Sequence, residues 1–138
     1  MRWTTEIPED YTEEHARNWI ASTPAGWKEG RAELAIMEKG VFAGAIGLVA
    51  RQEWVAEIGY WIAPAFRGRG IATRALELLS RWAEDVGFAR LQLTIFPGNE
   101  ASARVAAKAG YVEEGLLRAY ANQRGEIKDA LIWSRVKD

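Results

Sequence analysis

The stretch that decides the reading runs Glu57-Ile58-Gly59-Tyr60-Trp61-Ile62-Ala63-Pro64-Ala65-Phe66-Arg67-Gly68-Arg69-Gly70-Ile71-Ala72-Thr73. A strand-like segment stops at Pro64, whose missing amide cannot continue a strand ladder. Two glycines alternate with two arginines, and a helical pattern begins. Ala72, Ala75, Leu76, Leu79, Ala83 and Val86 recur at helical spacing, and Gly87 suits the position just beyond a helix end. The first turn of a helix exposes backbone N–H groups that lack intrahelical acceptors and carry partial positive charge, so it receives phosphate readily. Gly68 and Gly70 allow a ligand close to the main chain, and Arg67 and Arg69 add positive charge. Arg67, Gly68, Arg69, Gly70, Ile71, Ala72 and Thr73 are therefore expected to cradle a pyrophosphate.

Working outward, residues 31–38 alternate, with Ala32, Leu34 and Ile36 on one side, and predict a strand. Lys39-Gly40 turns the chain into a second strand over 41–50, and Gln52-Glu53 into a third over 55–62. Leu91 to Phe96 reads as a buried strand. Pro97-Gly98-Asn99 leads into a short helix that ends at Gly110, and two last strands, about 111–117 and 126–135, join around Asn122 to Gly125. Upstream, Asp10 or Thr12 can cap a helix over roughly 11–21, followed by a loop over 22–30. The expected fold class is α/β (α+β): a mixed, mostly antiparallel sheet with helices on both faces and a right-handed strand–helix–strand crossover. No repeat, linker or low-complexity tract divides the chain, so residues 1–138 form one expected domain.

Composition narrows the function. Hydrophobic residues make up 49% and charged residues 27%, which suits a globular protein. No apolar run reaches the ~20 residues that span a bilayer, and the start lacks an apolar leader, so a cytoplasmic protein without membrane contact is expected. With no cysteine and a single histidine, His15, thiolate chemistry and a His-rich metal site are excluded, and no metal is expected. Net charge is −1, without the basic footprint that nucleic-acid binding usually leaves, so no nucleic acid is expected either.

Three phosphate loops compete for residues 67–73. A Walker loop needs Gly-Lys-Ser/Thr, which is missing. A dinucleotide fingerprint needs a third glycine where Thr73 stands, and a βαβ setting where the preceding strands read as antiparallel. The pattern Arg/Gln-x-x-Gly-x-Gly/Ala is met by Arg67, Gly70 and Ala72. Here the chain resembles the GNAT superfamily of N-acetyltransferases. A second segment, Pro97-Gly98-Asn99-Glu100-Ala101-Ser102-Ala103-Arg104-Val105-Ala106-Ala107-Lys108-Ala109-Gly110-Tyr111, resembles the RimJ/RimL branch, as do Glu114 to Arg118 and Asp129. That branch includes acetyltransferases acting on ribosomal-protein N-termini.

The resemblance implies acetyl-CoA as co-substrate and an amine as acceptor, either a protein N-terminus or a small molecule. It implies that pantetheine pairs with the strand end at Trp61 and Ile62, whose N–H groups would face the developing oxyanion. Glu57 is the candidate base, just before the point where the family parts this strand from the next. Read from the residues alone, Glu57 is equally a strand carboxylate paired with a cross-strand cation. Asn99 is an N-cap and, by resemblance, a neighbour of the pantetheine arm. Ser102 either serves the same helix end or donates to the departing thiolate. Lys108 is a solvated lysine or approaches coenzyme phosphates. Family members carry a further strand before the segment that opens here at Trp3, so the first strand is expected to be missing or shortened. The edge left open would be exposed or covered by a partner chain, as in a homodimer. Trp82 is expected in the core, while Trp3, Trp27 and Trp54 are candidates for an acceptor groove or an interface if exposed. The rival function is a non-catalytic acyl-CoA-binding or regulatory module.

Overall fold

The computed structural model describes residues 31–137. The expected helix over 11–21, His15, Trp3, Trp27 and the question of a first strand lie outside the described residues. Within them, β1 (Arg31–Glu38), β2 (Val41–Gln52) and β3 (Val55–Ile62) form an antiparallel meander. A 3-10 turn, Pro64–Phe66, leads to α1 (Ile71–Asp85). Then follow β4 (Arg90–Ile95), α2 (Glu100–Lys108), β5 (Val112–Gln123) and β6 (Glu126–Val136). The sheet order is β1-β2-β3-β4-β6-β5, with β3 and β4 the parallel pair. This is the expected mixed, mostly antiparallel architecture.

Strand alternation sorts the residues by face. Ala32, Leu34, Ile36, Ile46, Leu48, Ala56, Ile58, Ile62, Leu91, Leu93 and Ile95 join Ala75, Leu76, Leu79 and Trp82 of α1 in the buried core. Ala106, Ala109 and Tyr111 bring α2 and its exit into the same cluster. Trp82 is core, as expected. Val86 is exposed: it is the C-cap of α1 rather than part of its apolar stripe, and Gly87 follows at φ 119°. A guanidinium–carboxylate pair ties α1 to the sheet: Arg135 donates from Nε and Nη2 to the two oxygens of Glu84, at 3.0 and 2.9 Å, and from Nη1 to the Ala109 carbonyl.

β5 runs well past its expected end at 117. Gly115, Arg118, Ala119 and Ala121 break the apolar alternation, yet pairing resumes after a bulge between Leu117 and Ala121. Asp129 holds that bulge by accepting the Ala119 N–H at 2.8 Å, with Ala119 at φ 52°. A carboxylate from the neighbouring strand stands in for the missing ladder bond.

Gly44 sets the distance between β2 and the end of β3. A Cβ there would collide with the Trp61 carbonyl oxygen and come within 3.0 Å of Ile62 Cα. Gly44→Ala should therefore destabilise the protein by about 1–3 kcal/mol, as overpacking against backbone does, measured as a lower urea midpoint at unchanged slope. The buried pair of Ser80 Oγ and Tyr111 Oη at 2.7 Å gives a pH test. Burial pushes the Tyr111 pKa up from 10.0 to about 12. Its stabilising contribution is thus complete below pH 10 and is lost as pH rises toward about 12. Urea titrations across that window should show falling stability, and the Tyr111→Phe chain should show a shallower fall.

Candidate active site

The parallel pairing of β3 and β4 covers only Val55, Ala56 and Glu57 opposite Arg90, Leu91 and Gln92. Beyond that row the strands part. β3 stays on β2 as far as Ile62 opposite Gly44, and β4 stays on β6 as far as Ile95 opposite Leu131. Two cavities of about 500 Å³ each adjoin at the parting, with Tyr60, Trp61, Asn99 and Ser102 in both walls.

The first cavity lies toward α1 and α2. It is lined by Ile62, Arg67, Gly68, Gly70, Ile71, Ala72, Thr73 and Lys108 among others. Gly70 is the N-cap of α1 at φ 76°, and no side chain caps the helix. Gly68 has φ 79°. A glycine at the cap supplies no oxygen, so the first-turn amides stay available to a ligand. The charged residues of this wall are Arg67, Arg104 and Lys108, all cationic. Arg67 also donates from Nε to the Ile62 carbonyl at 3.1 Å, which fastens the loop to the strand end. Arg69 is the exception among the expected loop residues. It is not in the wall, and its guanidinium stacks over Phe66 at 5.2 Å. Gly68, in left-handed backbone at φ 79°, stands between them, and Arg67 and Arg69 do not both line this cavity.

The second cavity opens on the other face of the sheet, where Glu33, Gly47, Glu57, Gly59 and Trp61 share a side. Glu57 is a wall residue. Its Oε1 accepts from Gln92 Nε2 at 3.1 Å, and its Oε2 from Arg51 Nη2 at 3.4 Å. The cross-strand cation foreseen in the plain reading is therefore present, and the carboxylate still faces the cavity. Gln92 in turn accepts from Arg90, which also reaches Glu114. This polar chain fixes where Glu57 points.

Asn99 caps α2, accepting the Ser102 N–H on Oδ1 at 3.2 Å, and lies in both walls. The anticipated cap is present, and the residue faces both cavities as well. Trp61 is half exposed and packs near Phe42, at 6.1 Å between ring centroids. Trp54 is exposed too, but it stands in neither cavity wall.

Among the polar residues of the first cavity's wall, Arg104 and Tyr60 were not anticipated. Arg104 shares a face of α2 with Ala101, Val105 and Lys108, a spacing the sequence displayed. Tyr60 alternates with Ile58 and Ile62, on the face opposite Glu57. Its hydroxyl is buried and meets no partner in strict hydrogen-bond geometry among the described residues, although the Ser102 side chain interacts with it. Burial pushes its pKa up, and the nearby Ser102 hydroxyl offsets part of that rise. Among the described residues no group of three or more His, Cys, Asp or Glu could hold a metal ion, and no helix is long and apolar enough to cross a membrane.

Comparison with known proteins agrees with this geometry. The acetyltransferase (GNAT) domain family matches residues 1–112. YoaA, an uncharacterized N-acetyltransferase of Bacillus subtilis (strain 168), is 36% identical over 97 residues, covering 68% of this chain and 55% of that protein. The ribosomal-protein-serine acetyltransferase of Escherichia coli (strain K12) is 30% identical over 84 residues, covering 60% of this chain and 47% of that protein. Among solved structures, the microcin C7 self-immunity acetyltransferase MccE, in complex with acetyl-CoA and AMP, superposes with a TM-score of 0.76 at 27% identity, covering 90% of this chain and 71% of that one. The chain belongs to the GNAT acetyltransferase family. Its ribosomal-protein relative agrees with the RimJ/RimL-type branch that the α2 motif resembles. The chain spans about half the length of these two curated relatives.

The left-handed backbone at Gly70 yields a direct check. Gly70→Val should cost about 1–2 kcal/mol of stability, from a β-branched residue forced into that region, and should weaken coenzyme A binding at least tenfold. Isothermal titration of both chains with coenzyme A measures the second effect.

Proposed function

We propose that this chain transfers an acetyl group from acetyl-CoA to a primary amine, a protein N-terminus or a small-molecule amine, with both substrates bound together. The observation that carries the reading is the meeting of two cavities at the parted strands, one whose charged wall residues are all cations and the other holding Glu57. The donor set suits the carrier: unclaimed first-turn amides and glycines in left-handed backbone, with Arg67, Arg104 and Lys108 around a diphosphate. Bound there, acetyl-CoA supplies an activated acyl carbon. Main-chain groups of β3 beyond Glu57, which no longer pair with β4, are free to bond the pantetheine arm, and amides near Trp61 and Ile62 stabilise the oxyanion.

An α-amine has a reference pKa near ~8 and a lysine near ~10.4, so either arrives mostly protonated at neutral pH. Glu57 takes that proton, directly or through a water. Each of its oxygens already accepts one hydrogen bond and keeps a further lone-pair direction for the ammonium. Gln92 and Arg51 hold the carboxylate while it acts. Ser102, at the start of α2, offers its hydroxyl to the leaving sulfur.

The test is thiol release from acetyl-CoA across a panel of amines, including peptides with free N-termini. Turnover with at least one amine is expected, and Glu57→Gln should lower kcat/KM by roughly a hundredfold, the scale of lost general-base catalysis. Coenzyme binding without thiol release from any amine would favour a binding module instead. An unchanged pH–rate profile in Glu57→Gln would remove Glu57 from the chemistry.

A further inference from the structure

Glu57 is held from both sides, and each neighbour can only donate to it. From β2, Arg51 Nη2 reaches Oε2 at 3.4 Å, and from β4, Gln92 Nε2 reaches Oε1 at 3.1 Å. A guanidinium has no acceptor, so Arg51 has no other way to meet a carboxyl group. A free glutamine amide could turn over and present its oxygen instead. Gln92 is prevented from doing so: its Oε1 accepts from Arg90 Nε at 2.9 Å, and a turned amide would set NH2 against the guanidinium. Arg90 is clamped in turn by Glu114, which accepts from Nη1 and Nη2 at 3.2 and 2.7 Å. The Arg90 guanidinium, with the Ser134 side chain second, holds the Glu114 carboxyl below the ordinary carboxylate value, so this anchor stays charged. The register accounts for the row. Val55 and Glu57 stand opposite Arg90 and Gln92, so Glu57, Gln92 and Arg90 share one face, and Gln92 occupies the last row before the strands part. Among the described residues, the other charged groups of this cavity wall are Arg31 and Glu33 of β1, which pair with each other at 4.0 Å.

We propose that Gln92 is the positioning residue of Glu57, turned by Arg90 into a one-way donor that holds Glu57 as a carboxylate aimed at the second cavity. The inference rests on Glu57 being the base of the acetyl-transfer reading. Neither Gln92 nor Arg90 lines either cavity, so both act through Glu57. When Glu57 takes a proton, the ammonium N–H bond breaks and its electron pair stays on nitrogen, ready to attack the acyl carbon. The proton settles on a carboxyl group whose two oxygens already face N–H donors. A neutral carboxyl is the poorer acceptor, and neither Arg51 nor Gln92 can accept from it. The proton therefore passes on to water, and the clamp restores the carboxylate before the next amine arrives.

The test follows the glutamate side-chain carboxyl carbons of the full chain, labelled with carbon-13, by nuclear magnetic resonance as pH is varied. The Glu57 signal is identified by its loss in Glu57→Gln. In Gln92→Met, which keeps the length and removes both bonds, Glu57 should titrate about half to one pH unit above the wild type, a three- to tenfold change in acid constant. Arg90→Met, which frees the amide to turn, should shift it the same way by less, and Arg90→Lys, still donor-only, should restore the wild-type curve. The Gln92→Met/Arg90→Met double variant should titrate like Gln92→Met alone. With an amine that the wild type acetylates, Gln92→Met should lower kcat about tenfold while KM for acetyl-CoA stays within about twofold. The two Arg90 variants carry the test if Gln92→Met fails to fold. Identical Glu57 titrations in the wild type, Gln92→Met and Arg90→Met overturn the proposal and leave acetyl transfer standing. Additive shifts in the double variant overturn the route through Gln92. Absence of thiol release by the wild type with every amine overturns the acetyl-transfer reading, whatever the titration shows.

Discussion

Backbone hydrogen bonding between β3 and β4 ends at the row of Glu57 and Gln92, and every part of the site follows from that interruption. Each strand keeps its outer partner, so the sheet loses pairing only along one internal seam. Unpaired main-chain groups are costly when buried and productive when they face a ligand-sized opening. Two local devices keep the seam in place. Gly44 lets the carbonyl of Trp61 lie close to β2, and Arg67 ties the loop back to the carbonyl of Ile62. The opening is thus built into covalent geometry and side-chain anchoring at the end of β3.

The two described helices start in opposite ways, and the contrast assigns their roles. At α2, Asn99 satisfies an exposed amide from within the chain. At α1, Gly70 provides no side chain, and the first turn holds no acidic residue that would compensate its positive end. One helix start is closed and the other is left electrostatically open, toward a wall whose charged residues are Arg67, Arg104 and Lys108. A chain of net charge −1 can carry such a locally positive chamber because its carboxylates lie elsewhere. Glu33 and Glu57 sit on the far face, while Glu77 and Glu84 pair with Arg81 and Arg135.

Much of this was legible in the residues. The six strands and two helices of the described region follow from periods of two and 3.6, and from Pro64, Gly87 and Gly110 as breaks. The open start of α1 was legible in Gly68 and Gly70, which follow a strand end and supply no capping oxygen. The rest depended on three-dimensional relations that spacing does not encode. The bulge of β5 needs Asp129, ten residues away on the next strand. The turning of Arg69 onto Phe66 is a contest between an aromatic face and a ligand wall. Tyr60 shares its alternation with Ile58 and Ile62, and only the parting of the strands distinguishes a phenol in a passage from a phenol in a core.

The four residues common to both cavities give the site two approaches from opposite faces of the sheet. On the acetyl-transfer reading, neither reactant would have to vacate the centre for the other to enter, and no covalent relay through a protein side chain would be called for. On the same reading recognition could diverge at separate rates: the cation-lined approach would serve the carrier, while residues around Glu33, Gly47 and Gly59 could change without disturbing it.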